Sequence, residues 1–249
     1  MEKKQELNNL FGLIGKNISY SFSQSYFTKK FEKEGLTGNL YTNFDIEHIK
    51  DLKNILENYT NLRGLNVTIP YKEAIIPFLD ELNHDAEEIG AVNTIKISEG
   101  KIKGYNTDHY GFRKSLEPFL DNQKKALILG TGGASKAIAF VFRQLGINAT
   151  FVSRNPNKNQ LGYKDLDEEI IRTSTVIVNC TPLGTFPNIS HKPPIPYEFL
   201  TKNHLLYDLI YNPDETAFLK SGKERACQIC NGLQMLKLQA EKSWEIWNS

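Results

Sequence analysis

At 249 residues the chain is long enough for two modest domains, each burying its own core. The 30 basic and 29 acidic side chains leave a net charge of +1, which excludes the one-signed surface that nucleic acid or an acidic membrane demands. No apolar run approaches a membrane span, Met1-Glu-Lys-Lys-Gln-Glu leads into no signal-type apolar core, and three cysteines cannot build a disulfide framework. A soluble, cytoplasmic protein is expected. Cys227-Gln-Ile-Cys230 has the spacing of a redox or zinc pair, but no second Cys/His pair follows at ligand spacing. Packing beside a buried strand is the expected role of these cysteines, and no metal is expected.

In chain order, residues 11–15 read as a strand, 24–34 as a helix closed by Gly35, and 40–44 as a second strand. A helix at 46–59 and a strand at 62–68 follow. Pro70 stands near the start of another helix, where its missing N–H costs little. Repeated strand–helix units imply a mostly parallel sheet with helices on both faces. A strand pair is expected at 91–97 and 101–106. From about Lys124 a second series runs through strands at 125–129, 147–152, 175–179 and 205–209. Pro182, Pro187, Pro193, Pro194 and Pro196 mark an irregular loop within it. The closing segment, 232–247, carries Leu233, Leu236, Ala240, Trp244 and Trp247 on one helical face, which needs a partner. A helix returning to the first domain would supply that partner and leave the second domain inserted in the first.

Several polar residues sit where such a fold places chemistry. Ser21 and Ser23 precede the helix expected from Gln24. In an extended segment their hydroxyls share one side, and beside a helix start they make a neutral pocket for a small carboxylate. Serine there is equally an N-cap. In Asn66-Val-Thr-Ile-Pro-Tyr-Lys72 a strand ends at polar Thr68, and Pro70 opens a helix with Lys72 in its first turn. A cation so placed opposes the helix dipole, which would suit a proton donor or acceptor, although most lysines are merely solvated and a functional role needs a partner. Asp108, in Gly104-Tyr-Asn-Thr-Asp108, is a candidate partner for Lys72 or else a helix N-cap. Asn93 and Gln239 are neutral groups of the kind that bind sugar-like hydroxyls.

The segment Lys125-Ala-Leu-Ile-Leu-Gly-Thr-Gly-Gly-Ala-Ser-Lys136 is a short apolar strand, a turn at Gly130, Gly132 and Gly133, and an amphipathic helix. Such glycines let the backbone approach a pyrophosphate, held by the exposed N–H groups and dipole of the helix start. At the end of the next strand comes Ser153-Arg154-Asn155. A fold selecting NAD usually places Asp or Glu there, whereas Arg suits the 2′-phosphate of NADP. Arg154 also reads as a solvated loop cation. Asn179-Cys-Thr-Pro-Leu-Gly184 ends a further strand, where open α/β sheets put ligand loops.

Together these segments resemble the shikimate dehydrogenase family along the whole chain. The Ser21/Ser23 pair, Asn66–Lys72, Ala91-Val-Asn-Thr94, the Asp108 segment, the glycine turn, Arg154, Asn179–Thr185, Tyr207–Pro213 and Asn231–Ala240 appear in the family's order. The resemblance implies an α/β fold: an N-terminal α/β substrate domain, a Rossmann-like dinucleotide-binding domain, and a C-terminal helix returning to the first. The boundaries it implies are 1–106 with 226–249, and 107–225. It implies hydride exchange between NADP and shikimate or 3-dehydroshikimate, with Lys72 and Asp108 as the catalytic pair. Ser21 and Ser23 would hold the carboxylate, and Thr68, Asn93 and Gln239 would contact the substrate. Gly130, Gly132, Gly133 and Ala134 would cradle the pyrophosphate, Ser153, Arg154 and Lys158 would lie at the 2′-phosphate, and Thr181 near the cofactor. A monomer or homodimer is expected. Departures from the family pattern stand at Tyr20, Gln24, Ser153 and Gln234. A carbonyl contact at Gln234 requires backbone angles that suit a side chain. Quinate as substrate, NAD as cofactor, and a non-catalytic NADP or shikimate sensor are the alternatives.

Overall fold

The computed structural model describes residues 9–18, 21–121 and 123–249; the opening residues 1–8, Ser19, Tyr20 and Asn122 lie outside the described residues. Two six-stranded sheets form. The chain divides into one unit that runs up to Thr107 and takes in Ala240–Ser249, and a second, Asp108–Gln239. Among the described residues no helix is long and apolar enough to cross a membrane.

The first unit is built from β1 (Asn9–Gly15), α1 (Phe22–Lys33), β2 (Asn39–Asp45), α2 (Leu52–Asn58), β3 (Leu62–Val67), α3 (Tyr71–Ala74), β4 (Glu81–Leu82), α4 (His84–Ile89), β5 (Thr94–Ser98) and β6 (Lys101–Tyr105). Its sheet order is β2-β1-β3-β5-β6-β4. β1 pairs in parallel with β2 and β3, while β5 runs antiparallel to both of its neighbours. Alternate side chains of β1 feed two cores, as the pleat requires. Leu10 and Ile14 join Leu65, Val67, Tyr71 and Ile75, and Phe11 and Leu13 join Phe27, Phe31, Tyr41 and Trp247. A strand covered on both faces reads as a continuous apolar run, which is how Leu10–Ile14 reads.

The second unit holds α5 (Asp108–Leu116), β7 (Lys125–Leu129), α6 (Gly133–Gln144), β8 (Asn148–Ser153), β9 (Leu161–Gly162), α7 (Glu168–Thr173), β10 (Val176–Asn179), β11 (Leu205–Asp208), α8 (Ala217–Lys223) and β12 (Gln228–Cys230). All its strands run parallel, in the order β9-β8-β7-β10-β11-β12. Numbered within the unit this is 3-2-1-4-5-6, the doubly wound order whose switch point lies between its first and fourth strands, β7 and β10. The last helix, α9 (Leu233–Trp247), starts in this unit and ends in the first.

Two sequence expectations are corrected here. The return to the first unit, expected at residue 226, comes at Ala240, because Gln228–Cys230 pair with Leu205–Tyr207 as the edge strand of the second sheet. The helix expected from Gln24 begins at Phe22, because Ser21 caps it.

Trp247 anchors the chain end within the first unit. Its indole N–H donates to the Ile95 carbonyl at 2.9 Å, and it occupies the space beside Gly64, where a Cβ would stand 2.2 Å from the indole nitrogen. Gly64→Ala should therefore lower stability by roughly 1–3 kcal/mol. An unchanged urea midpoint would show that the tryptophan moves aside freely. Burial also raises the cysteine thiols, that of Cys230 to about 11, and only the thiolate is nucleophilic. Iodoacetamide at pH 8 should label Cys230 more than about tenfold slower in the native protein than after denaturation; equal rates would return the Cys227/Cys230 pair to reactive chemistry.

Candidate active site

In the first unit the candidate residues gather where β1, β3 and the segment before β5 end. The Thr68 amide donates to the Ile14 carbonyl (2.9 Å), the Val67 amide to the Asn93 carbonyl (2.8 Å), and the Val92 amide to the Lys72 carbonyl (2.7 Å). These three bonds fix Thr68, Lys72 and Asn93 beside one another. Lys72 lies in the single turn of α3, half-buried, with Pro70 at the N-cap position. One turn sums few peptide dipoles, so little of the expected helix-dipole effect on the ammonium is available.

Ser21 and Ser23 take different places. Ser21 is the extended N-cap of α1, and its Oγ accepts from the Ser23 amide at 3.1 Å. The cap and the carboxylate-pocket readings are compatible at this residue, because a capping hydroxyl keeps its own proton to donate. Ser23 is buried as the second helical residue and meets the Tyr41 hydroxyl. Asp45 secures the approach to the cap by accepting from the amides of Asn17 (2.8 Å) and Ile18 (3.2 Å).

Beneath these residues runs a neutral, buried network. The Tyr41 hydroxyl donates to Asn66 Oδ1 (2.9 Å), and Asn66 Nδ2 donates to Ser243 Oγ (2.9 Å) and Thr94 Oγ1 (3.3 Å). Ser243 Oγ also meets Thr94 Oγ1 at 2.7 Å and Thr107 Oγ1 at 3.3 Å. Asn93 closes the network, donating through Nδ2 to Thr107 Oγ1 (3.0 Å) and accepting the Thr107 amide on Oδ1 (2.6 Å). Asn93 is thus oriented from below, and Thr107 is fixed immediately before Asp108. Of these residues Asn66, Asn93, Thr94 and Thr107 lie within motifs visible in the sequence. Tyr41 and Ser243 carry no local signal, since their roles come from register and from the rotation of α9.

In the second unit Asp108 is the first residue of α5 and is buried, so the N-cap position expected for it falls on Thr107. One turn along α5, Gly111 lies against α9; a Cβ there would stand 2.6 Å from the Met235 carbonyl and 3.1 Å from Gln239. That contact sets the buried Gln239 beside the first turns of α5. Gln234 takes ordinary helical backbone within α9, which suits a side chain.

The glycine turn stands at the switch point. Gly130 has φ 109°, and its missing Cβ leaves room for Cys180 and Thr181 at the end of β10. Gly132 is the N-cap of α6, with no side-chain cap and nothing within 4 Å of where its Cβ would project. The first amides of a twelve-residue helix, at Gly133 and Ala134 in its partly exposed first turn, therefore have no capping side chain to satisfy them. Ser135, completely buried, faces the Cys180 thiol, which makes it the small residue that close helix–strand packing requires. Thr181 is bound through its amide (3.0 Å) and hydroxyl (2.7 Å) to Asn179 Oδ1. At the end of β8, Ser153 Oγ accepts from the Asn155 amide at 3.2 Å, and Arg154 and Lys158 are exposed. Arg154 stands near the Tyr163 phenol, whose pKa burial raises and the guanidinium pulls back. No carboxylate occupies the Ser153–Asn155 turn. Uncapped amides, a close backbone approach and an exposed cation at the neighbouring strand end fit a dinucleotide carrying a 2′-phosphate.

Comparison with known proteins identifies the family. A family model described as the shikimate dehydrogenase substrate binding domain matches residues 13–95. A shikimate dehydrogenase (NADP(+)) of Clostridium botulinum is 39% identical over 249 residues, covering 95% of each chain. The crystal structure of shikimate dehydrogenase 1 from Peptoclostridium difficile superposes with a TM-score of 0.82 at 38% identity, over 96% of this chain and 91% of that one. The Thermus thermophilus enzyme, in complex with NADP(H) and shikimate, superposes at 0.85 and 30% identity over 96% and 93%. Similar at this level over nearly its whole length, the chain belongs to the shikimate dehydrogenase family.

Proposed function

We infer that this chain catalyses the reversible, NADP-dependent reduction of 3-dehydroshikimate to shikimate. The observation that carries this reading is the uncapped, glycine-opened start of α6 at the switch point, in a chain 39% identical to a dehydrogenase named for NADP(+). The amides of Gly133 and Ala134, with Gly130 and Gly132 leaving room, would hold the pyrophosphate; Ser153, Arg154 and Lys158 would hold the 2′-phosphate; Thr181 would border the nicotinamide end. When bound, the cofactor supplies a hydride from the nicotinamide C4 to the ring carbonyl carbon, or takes it back.

Ser21 and Ser23 would bind the substrate carboxylate, and Thr68, Asn93 and Gln239 its hydroxyls. As hydride arrives at the carbonyl carbon, the C=O π pair moves onto oxygen, and the developing alkoxide must be stabilised and protonated. We assign that work to Lys72 and Asp108, acting together. The substrate is a small molecule, and we take a monomer or homodimer in the cytoplasm as the working form.

Two experiments test the assignments. Arg154→Ala should raise the KM for NADP strongly and leave that for NAD nearly unchanged in an absorbance assay offering shikimate and quinate with each cofactor. Equal loss with both cofactors would remove Arg154 from 2′-phosphate recognition, and faster turnover with quinate would reassign the substrate. Lys72→Met, which removes the ammonium and keeps the length, should lower kcat roughly 10²–10⁴-fold with little change in KM. Asp108→Asn should behave alike, and the double variant should lose little more than either single one. Losses that multiply would dissolve the pair.

A further inference from the structure

Asp208, the last residue of β11, is completely buried in the second unit and has no cationic partner among the described residues. Its Oδ2 accepts from the Thr216 hydroxyl at 2.6 Å, and its Oδ1 accepts from Asn179 Nδ2 at 3.0 Å and from the Ile210 amide at 3.1 Å. These donors come from three different places: the end of β10, the turn after β11, and the N-cap of α8, where Thr216 in turn accepts from the Leu219 amide at 3.3 Å. Asn179 spends its remaining oxygen on the amide and hydroxyl of Thr181. A donor at Asp208 would face another donor on every side, so only an acceptor satisfies the cluster.

We propose that the Asp208 carboxylate is a positioning residue for cofactor binding, holding Thr181 and the turn after β11 in the arrangement that receives the nicotinamide half of NADP. The inference rests on the cofactor reading given under Proposed function. It separates the two halves of the ligand, because Asp208 reaches Thr181 and has no bond to α6 or to the Ser153–Lys158 turn among its partners.

Burial raises the Asp208 carboxyl to about 6, against the three hydrogen bonds that pull it down. The titratable groups that feel its charge are the Cys180 thiol and the Tyr197 phenol, both pushed up by burial and neutral across this range. As pH falls through about 6, protonation replaces one acceptor site with a donor and the cluster loses the form that holds Thr181.

The test measures binding of NADP and of adenosine 2′,5′-bisphosphate to the full chain between pH 5 and 8. The second probe carries the 2′-phosphate and lacks the nicotinamide. Asp208→Asn should weaken NADP at pH 7.5 by roughly tenfold, the loss expected when one hydrogen bond of a buried charged group is broken, and should leave the bisphosphate within about twofold. Wild type should lose NADP affinity below pH 6 more steeply than Asp208→Asn does; titration of the 2′-phosphate itself is common to both proteins and cancels. Unchanged NADP affinity, equal weakening of both probes, or identical pH profiles would each overturn the proposal. If Asp208→Asn does not fold, Thr216→Val removes one donor without touching the charge and is read by the same two-probe comparison. Failure of wild type to bind either probe would overturn the cofactor reading, and this proposal with it.

Discussion

Trp247 fills the space that Gly64 leaves empty and gives its indole proton to the Ile95 carbonyl, and the rest of the first unit's polar architecture depends on that seat. From there the end of α9 lies against the sheet, and Ser243, one turn earlier on the helix, reaches Asn66, Thr94 and Thr107. Phe11 stacks on Trp247 at 4.9 Å and Phe27 on Tyr41 at 4.6 Å, so the aromatic layer and the polar network are held by the same helix. A shift of α9 along its axis would break both together. Asn93 is therefore oriented by a helix nearly 150 residues away in sequence.

The second unit depends on a different constraint, the common direction of its strands. With every strand parallel, all C-terminal ends meet one edge, and the order reversal between β7 and β10 leaves a gap there that no helix crosses. Gly130 and Thr181 face each other across that gap. The positive φ of Gly130 makes any side chain strained there, and a Cβ would crowd Thr181 and Cys180, so the glycine serves strand packing.

Much of this was legible in the sequence. Runs such as Leu10–Ile14 and Ala126–Leu129 announce strands buried on both faces, and the glycines announce the turn between β7 and α6. The short elements were not legible. β4, β9 and β12 have two or three residues each, too few for a period to show, and they exist because a neighbouring strand offers an edge. For that reason the expected boundary at 226 gave way to Ala240. At the site, Thr68 follows the end of β3, Lys72 falls in the short helix behind it and Thr181 follows the end of β10, where their spacing put them, whereas Asn93 precedes β5 rather than lying within the strand expected at 91–97. Ser243 was not singled out and Asp208, though inside the Tyr207–Pro213 segment, had no role assigned, because a serine within a helix and an aspartate ending an apolar strand look unexceptional until their partners arrive through the fold.

The two units solve the burial of polar groups in opposite ways. In the first, amide and hydroxyl groups satisfy one another, and no charge is taken out of water within the network. In the second, Asp208 is buried without a cation, and raising its carboxyl to about 6 reflects roughly 3 kcal/mol working against the ionised form in the folded chain. Because the folded-state value is raised, this group's contribution to stability is greatest below the unfolded-state range near pH 4 and is lost as pH rises through about 6. The carboxylate is thus least favourable to folding at neutral pH, where it is ionised. A neutral asparagine would avoid that penalty but present a donor to Thr216, Ile210 or Asn179, each of which already donates. Hydrogen-bond polarity, rather than stability, accounts for a carboxylate at this position, and its geometric product is the fixed Thr181 loop.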